Sequence, residues 1–158
     1  MFEIGDKIVY PMHGAGVIEA IEEQEILGEM KKYYVLKMPI GDMKVMIPTH
    51  SVGDIGIREV IGEDEVEKVF AILGDTSVNI NSNWNKRYRE NMLKIKSGNI
   101  YEVADVVKSL VLRERDKGLS TGERKMLNSA KQILLSELIL AKGIGENDII
   151  GAIGAKGA

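Results

Sequence analysis

The sequence predicts an α+β chain of two domains, a small antiparallel β barrel followed by a compact α-helical bundle. Three observations lead there. Short β-rich runs broken by turn residues fill residues 6–58, the apolar period becomes helical from Ile61, and the charge balance changes sign between the halves. A length of 158 residues fits one ordinary domain or two small ones, and 44% hydrophobic residues suffice for a core. The expected divisions are 1–58, 59–142 and a flexible tail over 143–158.

Taken in order, Lys7-Ile8-Val9-Tyr10, Gly16 to Ile21, Tyr33 to Met38 and Met43 to Ile47 read as strands. Pro11 with Gly14, Gly28, Pro39 with Gly41-Asp42, and Pro48 separate them as turns. Val66, Val69, Phe70 and Leu73 then make one helical stripe, which Gly74 is expected to close in the left-handed conformation. Asp75 to Asn83 is polar and reads as a linker or long loop. A helix follows from Trp84 to just before Gly98, and Asn99 caps the next, whose Val103, Val106, Val107, Leu110 and Val111 face inward. Ser120-Thr121-Gly122-Glu123 has capping-box spacing and opens a last helix running to about Lys142. The connections between these helices are short, which favours adjacent packing. The glycine-rich stretch after Gly143 lacks a convincing periodic core, although Ile149, Ile150 and Ile153 leave room for a short terminal helix.

Charge divides the chain. Residues 1–74 carry 7 Lys and Arg against 14 Asp and Glu, whereas residues 75–142 carry 13 against 8. Such asymmetry gives reason to expect different partners for the two halves.

Several function classes drop out. The absence of cysteine removes disulfides, thiolate zinc sites and cysteine nucleophiles, and accords with a reducing cytosol. No apolar run approaches a membrane span and the first residues lack a signal-peptide pattern, so the expectation is a soluble intracellular protein. His13 and His50 are the only histidines and form no ligand pair, so turn or surface positions suit them better than a metal site. No phosphate loop or dinucleotide fingerprint is present. The reading is a binding protein, not an enzyme, with no cofactor and no metal.

The informative stretch is Asn83-Trp84-Asn85-Lys86-Arg87-Tyr88-Arg89, in which the only Trp precedes three cations at a helix start. Cations there oppose the helix dipole, and a phosphate partner would relieve the conflict. An exposed indole could stack on a base or wedge at a base step while the cations hold the backbone. Alternatively Trp84 plugs a gap between helices and the cations form its solvated rim. Arg124-Lys125 repeats the conflict at the last helix and tilts the balance towards nucleic acid.

Gly5-Asp6-Lys7-Ile8-Val9-Tyr10-Pro11-Met12-His13-Gly14-Ala15-Gly16-Val17-Ile18 resembles the opening of the CarD family of bacterial transcription regulators. That block is shared with the polymerase-interacting domain of transcription-repair coupling factor. The likeness continues through Tyr33-Tyr34-Val35-Leu36, Met46-Ile47-Pro48 and Asn83-Trp84, then Gly118-Leu119-Ser120-Thr121-Gly122-Glu123-Arg124-Lys125-Met126-Leu127. It covers about residues 2–142, and the Trp and Gly-Leu-Ser motifs separate CarD itself from the coupling factor.

The resemblance implies a Tudor-like, SH3-like β domain that binds the RNA polymerase β subunit by strand addition, joined to a helical domain that binds DNA. It implies contact with promoter DNA in the minor groove at the upstream edge of the bubble, where the Trp prolongs the open complex. By position that Trp is Trp84, with Lys86, Arg87, Arg89, Arg124 and Lys125 as its DNA-backbone neighbours. Some family members carry Arg at the positions matching Gln24 and Met46 and use both against polymerase, and this chain has neither. The polymerase contact is therefore expected at Gln24 and around Val45, Met46 and Ile47, through main-chain pairing and nearby apolar contact. A monomer acting in the cytoplasm, at the nucleoid through polymerase, completes the expectation. The competing reading is a non-catalytic adaptor whose helical domain mediates self-association.

Overall fold

The computed structural model describes residues 2–77 and 83–153. Five strands make one antiparallel sheet in the order β4-β3-β2-β1-β5. They are β1 (Lys7–Tyr10), β2 (Gly14–Ile26), β3 (Glu29–Lys37), β4 (Lys44–Pro48) and β5 (Arg58–Glu59). Ile8, Ile18, Tyr34, Leu36, Met38 and Ile47 form the buried cluster of this domain. β2 and β3 run further than expected, to an arm whose outer residues are largely exposed. The arm turns through Leu27 and Gly28, both with positive φ, the geometry that matches the twist of a two-residue hairpin. β5 was not anticipated. Two residues carry no readable period, yet Glu59 pairs with Ile8 and takes the sheet one residue past the expected boundary.

The helices are α1 (Val52–Ile55), α2 (Glu63–Gly74), α3 (Trp84–Lys96), α4 (Ile100–Asp116), α5 (Thr121–Lys142) and α6 (Glu146–Ala152). The apolar stripes of α2, α4 and α5 meet in a second buried cluster that includes Val69, Leu73, Val107, Leu110, Leu134 and Leu138. Each such fully buried aliphatic side chain contributes about 1.5–3 kcal/mol. Asn99 caps α4 by accepting from the N–H groups of Tyr101 and Glu102, as its spacing requires.

Two expectations are corrected. Gly74 does not close α2 in the left-handed conformation, because the chain leaves through Asp75 in an extended one. The expected tail over 143–158 is, as far as Ile153, part of the bundle. Ile149 and Ile153 lie four apart on the helical period, and both are buried in the helical core. Residues 78–82 of the expected linker and 154–158 of the expected tail lie outside the described residues.

Polar contacts join the sheet to the bundle. The Ala15 N–H donates to Ser136 Oγ at 2.8 Å, and that hydroxyl donates to the Ile133 carbonyl at 2.7 Å. Arg58 reaches Glu137 with two parallel hydrogen bonds of 2.7 Å, and its Nε donates to the Gly98 carbonyl at 2.8 Å. The Ile61 N–H adds a third donor to Glu137 at 3.0 Å. Glu137 is 1% exposed, so this pairing is what makes its burial tolerable.

Candidate nucleic-acid interface and docking edge

Trp84 opens α3, and Asn83 caps that helix by accepting from the Lys86 N–H at 3.2 Å. Trp84 is 40% exposed, so it is not a sealed plug, although its ring rests between α3 and α5. It stacks on Tyr88, one turn along the same face, with ring centroids 5.0 Å apart and planes 20° apart. Its Nε1–H donates to Ser120 Oγ at 3.0 Å, which pins the start of α3 to the start of α5. Ser120 caps α5 by accepting from the Glu123 N–H at 3.2 Å.

Two helix N-termini therefore converge beside the indole, and each presents the positive end of a macrodipole. Lys86, Arg89, Arg124 and Lys125 are all exposed on these first turns. Arg124 makes a surface ion pair with Glu114 at 3.6 Å and donates to the Leu119 carbonyl at 3.4 Å, exposed contacts that a phosphate could replace at small cost. Four of the five expected cations are thus exposed on α3 and α5, the two helices that the Trp84–Ser120 bond joins.

Arg87 is the exception. It is 8% exposed and turned inward, with Nε and Nη2 each donating to Glu123 Oε2 at 3.4 Å. The reason is helical geometry: at about 100° per residue Arg87 falls on the side of α3 that carries buried Ile95, whereas Lys86 and Arg89 fall on the solvent side. Glu123, 2% exposed, also has Arg113 Nε at 3.9 Å. Arg87 and Glu123 thus form a buried brace under the indole. Sequence reasoning saw Ser120 and Glu123 only as a helix start.

In the β domain β4 is the last strand of the sheet and pairs with β3 alone in the strand order. Its outer backbone edge is open to strand addition. Ile47 is fully buried and Val45 packs against the β core, so these two offer main chain and not side chain. Met46 points to the opposite face, 38% exposed, with Gln24 Nε2 3.7 Å from its sulfur. Of residues 45–47, Met46 is thus the one whose side chain is exposed.

The histidines take the places the sequence assigned them. His13, in the β1–β2 turn, packs its ring against Tyr10 at a tilt of 56°, and His50 is exposed. Among the described residues no group of three or more His, Cys, Asp or Glu could hold a metal ion, and no helix is long and apolar enough to cross a membrane.

An antiparallel sheet with an open edge, followed by a helical bundle with a partly exposed tryptophan, makes a two-domain α+β fold. The chain belongs to the CarD family of transcription regulators: residues 2–61 match the CarD-like/TRCF RID domain, and residues 68–153 match the CarD, C-terminal domain. It is 46% identical over 149 residues to "Putative transcription factor YdeB" of Bacillus subtilis (strain 168), an alignment spanning 94% of this chain and 97% of that protein. It is also similar to the solved structure of CdnLNt from Myxococcus xanthus, at 43% identity over 39% of this chain and 86% of the other, with a TM-score of 0.34.

Proposed function

We propose that the β domain docks on the RNA polymerase β subunit through the edge of β4, and that the helical domain grips promoter DNA at the upstream edge of the bubble through Trp84. The observation that carries this reading is the partly exposed indole where the starts of two helices meet, on helices that also expose Lys86, Arg89, Arg124 and Lys125. Family membership supports the polymerase role, since the first 61 residues match a domain family shared with the coupling factor.

The energetics follow from weak contacts combined. The formal net charge is −3, so free duplex attracts the molecule feebly. Docking on polymerase supplies a high effective concentration, and DNA contact becomes nearly intramolecular. The bound indole then stabilises the open promoter only by its differential affinity for it, with about 1.4 kcal/mol shifting the equilibrium tenfold.

The test is the open-complex lifetime on polymerase with the parent chain and with Trp84→Ala. The variant retains polymerase binding and loses the lengthened lifetime. An unchanged lifetime would remove the wedge from the account.

A further inference from the structure

We infer that Ser120 and Glu123 are positioning residues for Trp84, holding the indole in its DNA-facing pose, with Arg87 as the buried brace of the same assembly. The inference rests on the reading of Trp84 as the DNA-contacting group and adds what fixes its orientation.

The argument starts from the hydrogen-bonding capacity of a hydroxyl, which offers one donor and two acceptor positions. At Ser120 all three are in use. The oxygen accepts from the indole Nε1–H at 3.0 Å and from the Glu123 N–H at 3.2 Å, and the hydroxyl donates to Glu123 Oε1 at 3.3 Å. The other carboxylate oxygen of Glu123 takes Arg87 at 3.4 Å, which returns the network to α3 only three residues after Trp84. Stacking on Tyr88 fixes the ring plane, and the bond to Ser120 fixes which edge turns inward. The indole also lies over Gly122, whose place a Cβ would fill only 3.5 Å from the Trp84 ring.

This arrangement asks more of residue 120 than helix capping does. Asp and Asn cap helices as well as Ser. Asp, however, cannot donate to Glu123 and would place a second negative charge against that buried carboxylate. Asn carries its donor and acceptor on separate atoms, whereas all three bonds here meet at one, so a hydroxyl, Ser or Thr, suits the position best. Gly still caps a helix within a few tenths of the Ser value, yet leaves the indole N–H without its partner. That difference separates positioning from folding.

The experiment uses the full chain in three variants, Ser120→Gly, Ser120→Thr and Trp84→Ala, with polymerase and promoter DNA. Because Trp84 is the only tryptophan of this chain, emission wavelength and anisotropy of the free protein, measured before polymerase is added, report on the indole alone. The expected S120G result is red-shifted emission with lower anisotropy, unchanged helix content, and an open-complex lifetime roughly two- to tenfold shorter, the span that one neutral hydrogen bond sustains. S120T restores emission and lifetime to the parent values. Parental emission and lifetime in S120G beside a short lifetime in W84A would overturn the positioning role and leave the DNA reading standing. A parental lifetime in W84A itself would overturn both.

Discussion

Arg58 and Glu137 face each other across the domain seam in a bidentate pair, with both hydrogen bonds at 2.7 Å. Glu137 has no other way to be buried at 1% exposure, because its remaining donor is the single Ile61 N–H. The same guanidinium holds the Gly98 carbonyl between α3 and α4. One side chain from the end of the sheet thus fixes the bundle at two points.

Arg58→Ala leaves the Glu137 carboxylate buried without its cation. Removing one partner of a buried pair costs about 3–5 kcal/mol. Denaturant unfolding should show that loss for R58A and a smaller one for Glu137→Gln, which keeps a neutral amide at the same place.

Gly14 lies at φ +107, and a Cβ there would meet Ser136 Oγ at 2.6 Å. Gly14→Ala should therefore destabilise through backbone strain and the clash together, by roughly 1–3 kcal/mol. Ser136→Ala alone orphans the buried Ala15 N–H, at about 1–3 kcal/mol. In the double variant the clash is gone, and thermal unfolding should show less than the additive loss.

Asp105 accepts from Lys94 at 2.6 Å and ion-pairs with Lys108 at 3.1 Å. Partial burial by itself raises its pKa, but the hydrogen bonds and charges of Lys94 and Lys108 outweigh that, and the net shift is downward. A carboxylate with a lowered folded pKa contributes stability above its unfolded value of about 3.9, and that contribution fades as pH falls through the folded value. Asp105→Asn should be less stable than the parent at neutral pH, with the gap closing in acid below about pH 3.9. A gap independent of pH would show that charge is not the cause.

Proline substitution tests the β4 edge. Along an edge strand, alternate N–H groups face the neighbouring strand and open space. Val45→Pro and Met46→Pro therefore remove one of each kind, and the variant that still folds should lose polymerase capture. Capture retained by a folded variant of the outward-facing kind would place the interface elsewhere.

Salt should distinguish the two kinds of arginine. Arg124→Ala should weaken promoter contact by an amount that shrinks as salt rises, because an exposed phosphate contact releases counterions. Arg87→Ala should instead lower stability, because it leaves Glu123 with less compensation for its burial.

Much of this was legible in the residues, and the misses share physical causes. Turn residues punctuate the β domain so regularly that four strands could be placed, whereas the outer arm of β2 could not. There Glu22 to Glu25 lack alternation because neither face of the arm packs on a core. The basic run after Trp84 pointed to the site but not to the inward turn of Arg87, since a linear run does not say where 100° steps will leave each side chain. Ser120 and Glu123 were readable as a helix start, while their partnership with α3 depends on tertiary contact that spacing does not encode. The pair Arg58 and Glu137 is separated by 79 positions and left no mark in the sequence.

β4 stops after five residues, ending on Pro48, which has no N–H to offer. A visiting strand could make only about two or three main-chain bonds there before the ladder runs out. Attachment through so brief a seam would be readily reversed.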